Sequence, residues 1–453
     1  MISKNISKTK LSLALVSLVI TFFVWQQGLR DSLNRPSVSF DISQKELEIA
    51  ELAVQSIPEN LKKFVLVNEP VDQINKSLSE VPFDELTDRN KLIRIISSES
   101  NEPLISKNIS KDFDNKNFKL LIDDIEKNSL NNSHAPNFDN FDSYKGDRFL
   151  YHLLSKKFDF DDSSLITKSF SNKMFLKILA IRLVPILTIL LGSILALKIS
   201  WNAISSKKFG WKEFKPLDLE LIDMVLLIAG GFVVLGEVVS PLFSISLVEF
   251  FSKNISNELS QSLKIFFGYL FMAIPPLGIV YYQIKSLNGE FILKRDYFQF
   301  NFLPIKYPII QGIKGWLTIT PFVLLISLIM NSLIDNQNGS NPLLEIVLNT
   351  NNYLSFFLLF ITTTLLAPLF EEIIFRGILL PTLSRDFGII SGIIVSAFIF
   401  ALAHLSFGEM PPLFVLGLGL GITRIASGSL FSSVIMHSLW NGMTFLNLFL
   451  LRT

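Results

Sequence analysis

From residue 174 onward the chain presents one long apolar run after another, at 174–199, 221–248, 263–284, 309–333, 353–383, 388–405, 411–427 and 430–450. Several exceed 18 residues, the length at which a hydrophobic helix crosses a bilayer core of about 30 Å. No water is present there to satisfy backbone N–H and C=O groups, so runs of this length read as helices that bond internally. A further run, Leu11 to Trp25, follows a basic amino end carrying Lys4, Lys8 and Lys10. Gln26-Gln27-Gly28-Leu29-Arg30 is a poor cleavage site, so this run reads as an uncleaved signal anchor. With the anchor there are about nine segments, which predicts an all-α, polytopic transmembrane helix bundle with a hydrophilic extramembrane insertion after the first helix.

The insertion, residues 28–172, is rich in Asp, Asn, Ser, Lys and Phe and has no spanning run. Ser43 and Glu46 make a capping signature ahead of Leu47, Ala50, Val54 and Ile57 at helical spacing, and Leu92, Ile93 and Ile96 mark a second short helix. The acidic, aromatic runs Asn137–Asp142 and Phe158–Asp162 lack the Asp-x-Asp-x-Asp-Gly order of a calcium loop and read as solvated surface. Basic residues set the orientation. The amino end, the loop with Lys198, Lys207, Lys208, Lys212 and Lys215, and the loop with Lys285, Lys294, Arg295 and Lys306 all fall inside under alternating spans. Residues 28–172 then lie outside, as does the loop 333–351, which holds Asp335 and Glu345 and no Lys or Arg. A net charge of +1 offers no electrostatic case for nucleic acid. The absence of cysteine removes disulfides, thiol nucleophiles and thiolate metal sites.

Polar residues gather in the last quarter. Two of the four histidines, His404 and His437, fall there with Glu371, Glu372, Arg376 and Asn441, inside segments apolar enough to cross a membrane. Ionisable groups at membrane depth are expensive and mark functional sites. Glu372 and Arg376 are i and i+4, the spacing at which a carboxylate meets a guanidinium, so this pair satisfies itself and supports structure. Glu371 points about 100° away and is left without a partner on its own helix, as a general base would be. With a turn at Asp386-Phe387-Gly388, Glu371 and His404 each lie roughly 16 residues from it and so reach the same depth, about 24 Å along two antiparallel helices. Pro381 is where the first of these can kink or end early. Pro368 frees a carbonyl that Thr362, Thr363 or Thr364 can re-satisfy, and Arg376 is expected to reach the cytoplasmic surface, with Glu371 a turn or two below it. His437 and Asn441, again i and i+4, can donate two hydrogen bonds to one oxyanion. Gly417, Gly419 and Gly421 permit close helix approach.

These residues form Glu371-Glu372-Ile373-Ile374-Phe375-Arg376, Phe400 to His404, and His437 to Asn441. The set resembles the CPBP family of intramembrane proteases, also called Abi or CAAX-protease-like, which includes type II CAAX prenyl endopeptidases. The resemblance covers roughly 309–450 and not 28–172; added to the division that composition and the apolar runs make into an anchor (1–27), an extracytoplasmic region (28–172) and further transmembrane helices (173–308), it implies a CPBP-like catalytic core (309–453). It implies an enzyme, an intramembrane peptidase hydrolysing membrane-anchored or lipidated substrates. Glu371 and His404 would activate water, His437 and Asn441 would stabilise the oxyanion, and Glu372 with Arg376 would hold the helix. The family has been described as metal-free glutamate proteases and as metalloproteases. In the second case Glu371, His404 and His437 would bind a divalent metal such as zinc. Two rivals are a non-proteolytic scaffold or immunity-like protein of the same fold, and a proton-relaying transporter. No second copy of the motifs in 174–350 supports a transporter. The signal anchor fits a bacterial inner membrane or a derived organelle membrane.

Overall fold

The computed structural model describes residues 7–35, 38–66, 68–98, 113–114, 118–119, 122, 146–159, 162–206, 211–212, 218–251, 255–288, 298–300, 303–333 and 342–452. Among them the regular structure is helical, without a strand. Two compact units form: Met1–Ser39 with Ile186–Phe449, and Phe40–Pro185 with Leu450–Thr453.

Helix α1 (Lys8–Leu33) contains the apolar run Leu11–Trp25. The hydrophilic unit follows with α2 (Ser39–Ala53), α3 (Glu59–Val65), α4 (Pro70–Ser79), α5 (Asp88–Ser97) and α6 (Arg148–Phe158). Its apolar core is small, centred on Ile49, Leu52, Ile74, Leu78, Leu92, Ile93 and Phe149. Buried charge supplements it. Arg89 forks between Glu48 on α2, at 2.6 and 3.0 Å, and Asp147, the cap of α6, at 2.5 and 3.1 Å. His152 is held at both ring nitrogens, Nδ1 to Asp162 at 2.6 Å and Nε2 to Glu51 at 3.5 Å. The Ser43 and Glu46 signature does not start a helix. Helix α2 begins four residues earlier with Asp41 in its first turn, and Glu46 instead accepts from Arg182 Nε at 3.1 Å. Asp162 is tied to His152 and Ser155; Phe160, Asp161, His134 and the run Asn137–Asp142 lie outside the described residues.

The chain continues through α7 (Lys168–Ser206), α8 (Leu221–Phe250), α9 (Asn257–Asn288), α10 (Lys306–Leu333), the short α11 (Pro342–Asn349), α12 (Tyr353–Phe387), α13 (Ile389–Leu402), α14 (Met410–Ser427) and α15 (Leu430–Leu450). All nine apolar segments are helical, but among the described residues seven rather than nine are long and apolar enough to cross a membrane. Helix α13 has 14 residues, about 21 Å, and is too short. Helix α15 is long enough, but Ser432, Ser433, His437 and Asn441 dilute its hydrophobicity. The protein is an integral membrane protein.

Helices α12 and α13 form the expected hairpin, closed by Gly388 at φ +85°, a conformation that favours glycine. Helix α12 widens to i→i+5 turns at Thr362–Leu366 and Ile373–Leu379, on either side of Ala367–Glu372. Pro368 and Pro381 each follow a widened turn, which makes room for the ring, so Pro381 does not end the helix early. The core of this unit joins Phe232, Phe375, Phe400, Leu416, Leu420 and Met436. Gly417 lies so close to Ala397 of α13 that a Cβ would sit 3.0 Å from its Cα, while Gly419 faces Ile319 of α10. The glycine pattern thus serves two neighbours at once.

Candidate active site

Glu372 lies at the centre of a buried polar knot. Its Oε1 accepts from Arg376 Nη1 at 2.9 Å and faces His437 Nδ1 at 3.0 Å. Arg376 also donates to the Gly417 carbonyl at 3.3 Å and stacks over the Phe400 ring, 4.2 Å from its centroid. All its charge is met inside, which is why Arg376 is fully buried and does not reach the cytoplasmic surface. The same knot fixes a tautomer. Facing a carboxylate that is already ion-paired, His437 Nδ1 carries a proton, so Nε2 is the atom free to act.

Glu371 is also buried, but its Oε2 has no hydrogen-bond partner. It lies 3.9 Å from His437 Nε2. His404 follows the end of α13, where its Nδ1 donates to the Phe400 carbonyl at 2.8 Å. A carbonyl only accepts, so His404 also presents Nε2 outward. Glu371, His404, His437 and Asn441 line one cavity of about 430 Å³, together with Tyr269 of α9.

Asn441 is wired in a way that spacing does not reveal. Its Nδ2 donates to the Thr363 carbonyl at 2.9 Å. Thr363 stands five residues before Pro368, which has no N–H to close the widened turn. The threonine hydroxyls do not take this role, since Thr362, Thr363 and Thr364 bond back to the carbonyls of Leu358, Leu359 and Phe360. One amide hydrogen of Asn441 therefore holds α12, and the second remains.

The proposed ligand triad of Glu371, His404 and His437 is not gathered as a metal site: among the described residues no group of three or more His, Cys, Asp or Glu side chains is placed to hold an ion.

Sequence reasoning missed two residues. Glu237 is the single charged residue in 226–248 and carries a buried Oε2 without a hydrogen-bond partner. It lies between Gly236, packed on Met272, and Ser240, whose hydroxyl donates to the Phe271 carbonyl at 3.1 Å. This places α8 tightly against the part of α9 that carries Tyr269. A lone charge in an apolar run was the available signal for Glu237; nothing local singles out Tyr269.

Comparison with known proteins divides the chain. Residues 39–176 match a domain of unknown function (DUF8675), and residues 353–443 match the family described as type II CAAX prenyl endopeptidase Rce1-like. Over 145 residues the chain is 27% identical to the membrane-embedded CAAX protease MroQ of Staphylococcus aureus (strain USA300). That match takes in 31% of this chain and 58% of the relative, so the chain spans less than two thirds of MroQ. No solved structure matches.

Proposed function

We infer, from the Rce1-like CAAX-protease domain formed by residues 353–443, that this protein is an endopeptidase hydrolysing membrane-associated protein substrates within the bilayer. One observation carries the reading. Of two adjacent buried glutamates, each with an Oε2 that lacks a hydrogen-bond partner, Glu372 gives its Oε1 to Arg376 and His437, while Glu371 is the one that lines the cavity holding two imidazoles and a carboxamide.

In this reading Glu371 takes a proton from a water that the His404 Nε2 lone pair orients. The water oxygen bonds to the scissile carbonyl carbon, and the carbonyl oxygen becomes an oxyanion. His437, clamped through Nδ1 by Glu372, stabilises that oxyanion from its Nε2 side. Asn441 adds its second amide hydrogen. The C–N bond then breaks as Glu371 returns its proton to the leaving amine, restoring the resting state. Arg376 and Glu372 never touch substrate; they fix the position and tautomer of His437.

The test uses purified protein in liposomes against a quenched library of peptides with apolar anchors. Glu371→Gln and His404→Ala are each expected to lower cleavage about 10²–10⁴-fold, the range of general acid–base catalysis. Full activity in Glu371→Gln would overturn the assignment. Cleavage absent from the wild type with a native client supplied would favour the scaffold reading.

A further inference from the structure

The cavity opens at one end of the bundle. Asn331 comes from the last turn of α10, Thr363 from the first half of α12, Glu409 from the connection after α13, Pro412 from the first turn of α14 and Thr444 from the last turns of α15. These helices alternate in direction, so the C-terminal ends of α10, α13 and α15 and the N-terminal ends of α12 and α14 share one side.

Helix α13 explains why a cavity exists there. Rising from Gly388, its 14 residues cover about 21 Å of a core of about 30 Å. The chain leaves the helix beyond Leu402, and residues 403–409 run without a regular helix, with Leu405 at φ +50°. Irregular backbone at membrane depth is tolerated where it lines a water-filled cavity.

The charge pattern says which side this is. The opposite end is the basic one: Lys198 and Lys285 lie near the C-terminal ends of α7 and α9, Lys306 opens α10, Lys8 and Lys10 open α1 after Lys4, and the sequence joining α7 to α8 and α9 to α10 adds Lys207, Lys208, Lys212, Lys215, Lys294 and Arg295. The short connections at the cavity end, 251–256, 334–352 and 403–409, contain one basic residue, Lys253. Short loops rich in Lys and Arg stay in the cytoplasm.

We propose that the active-site cavity is entered from the extracytoplasmic face. Its substrate is then a membrane-anchored peptide whose scissile bond lies on the extracytoplasmic side of its apolar segment. His437 and Asn441 stand 13 and 9 residues before Leu450, about 20 and 14 Å along α15, which sets how deep the bond must reach. A peptide presented only from the cytoplasm meets the basic end of the bundle and not this mouth. The proposal rests on the proteolytic reading for its substrate, but its sidedness can be measured separately.

The chain has no cysteine, so single thiols can be introduced without other changes. Asn331→Cys and Asn351→Cys report the cavity end; Lys198→Cys and Lys285→Cys report the other. All four positions are exposed. In intact cells a membrane-impermeant maleimide should label the first two at least tenfold faster than the second two, with the difference removed by permeabilisation. The reverse pattern, or equal labelling in intact cells, overturns the proposal. In proteoliposomes the same labelling gives the fraction of molecules with Asn331 outward, and cleavage of an externally added anchored peptide should scale with that fraction. Scaling with the inward fraction also overturns it. Loss of cleavage in every orientation, with the labelling as expected, would strike the proteolytic reading and leave the sidedness standing.

Discussion

Removing Arg376 tests the knot that positions His437. In Arg376→Met a side chain of similar volume replaces the guanidinium, so no large cavity opens, but Glu372 is left as a fully buried carboxylate without its cation. Three contacts disappear: the 2.9 Å ion pair, the 3.3 Å bond to the Gly417 carbonyl and the stacking on Phe400 at 4.2 Å. Stripping one partner from a buried pair costs about 3–5 kcal/mol. Glu372→Gln should cost a similar amount, because it leaves the guanidinium uncompensated while its amide oxygen still accepts from His437. In the double variant neither position of the pair carries a charge. Its main loss is the contact with Phe400, about 1–2 kcal/mol, so it should be more stable than either single variant. Chemical unfolding of all four proteins in detergent micelles gives the coupling, expected at about 2 kcal/mol or more. If the two single losses add to within about 0.5 kcal/mol, as independent sites do, the ion pair within α12 is not what makes burial of these two charges tolerable.

Other consequences are as direct. Asn441→Ala orphans the Thr363 carbonyl and should destabilise by about 1–3 kcal/mol while also slowing cleavage; a slowed enzyme with unaltered unfolding would show that the bond to α12 carries no weight. Glu237→Leu removes a buried carboxylate whose Oε2 lacks a hydrogen bond, so the thermal midpoint should rise, and a fall would indicate that Glu237 is better paired than its geometry implies. The hydrophilic unit should depend on pH at both ends. Burial alone would lower the His152 pKa, but hydrogen bonds to Glu51 and Asp162 outweigh it and hold it above its ordinary 6.5. Burial alone would raise Glu51, but His152 and Lys156 pull it below 4.5. The His152 contribution is complete below its unfolded value and disappears as pH rises through the folded one. The Glu51 contribution is complete above its unfolded value and disappears as pH falls through the folded one. Proteolytic resistance of this unit in the full chain should therefore be greatest from about pH 5 to 6.5 and lose its alkaline limb in His152→Leu.

What could be read from the sequence here was local. Period and length place the nine apolar segments in helices, and i, i+4 spacing joins Glu372 to Arg376. Gly388 turns the hairpin within one residue of where equal arms put it. Each of these depends on neighbours a few residues apart. The features that escaped depend on groups far apart in sequence: Asn441 reaches back 78 residues to Thr363, and Arg376 reaches forward 41 to Gly417. The expectation that Arg376 meets the cytoplasm failed for that reason. An arginine seeks water when its own helix offers too few acceptors, and here a carbonyl on α14 and a ring on α13 supply the rest. Loop charge is the exception, a global property visible residue by residue. It assigns a side to every helix end, yet it has no chemical meaning until packing shows which ends surround the candidate site. The shortness of α13 makes that connection, since the gap it leaves is where water can stand beside Glu371, and the basic loops lie at the opposite end.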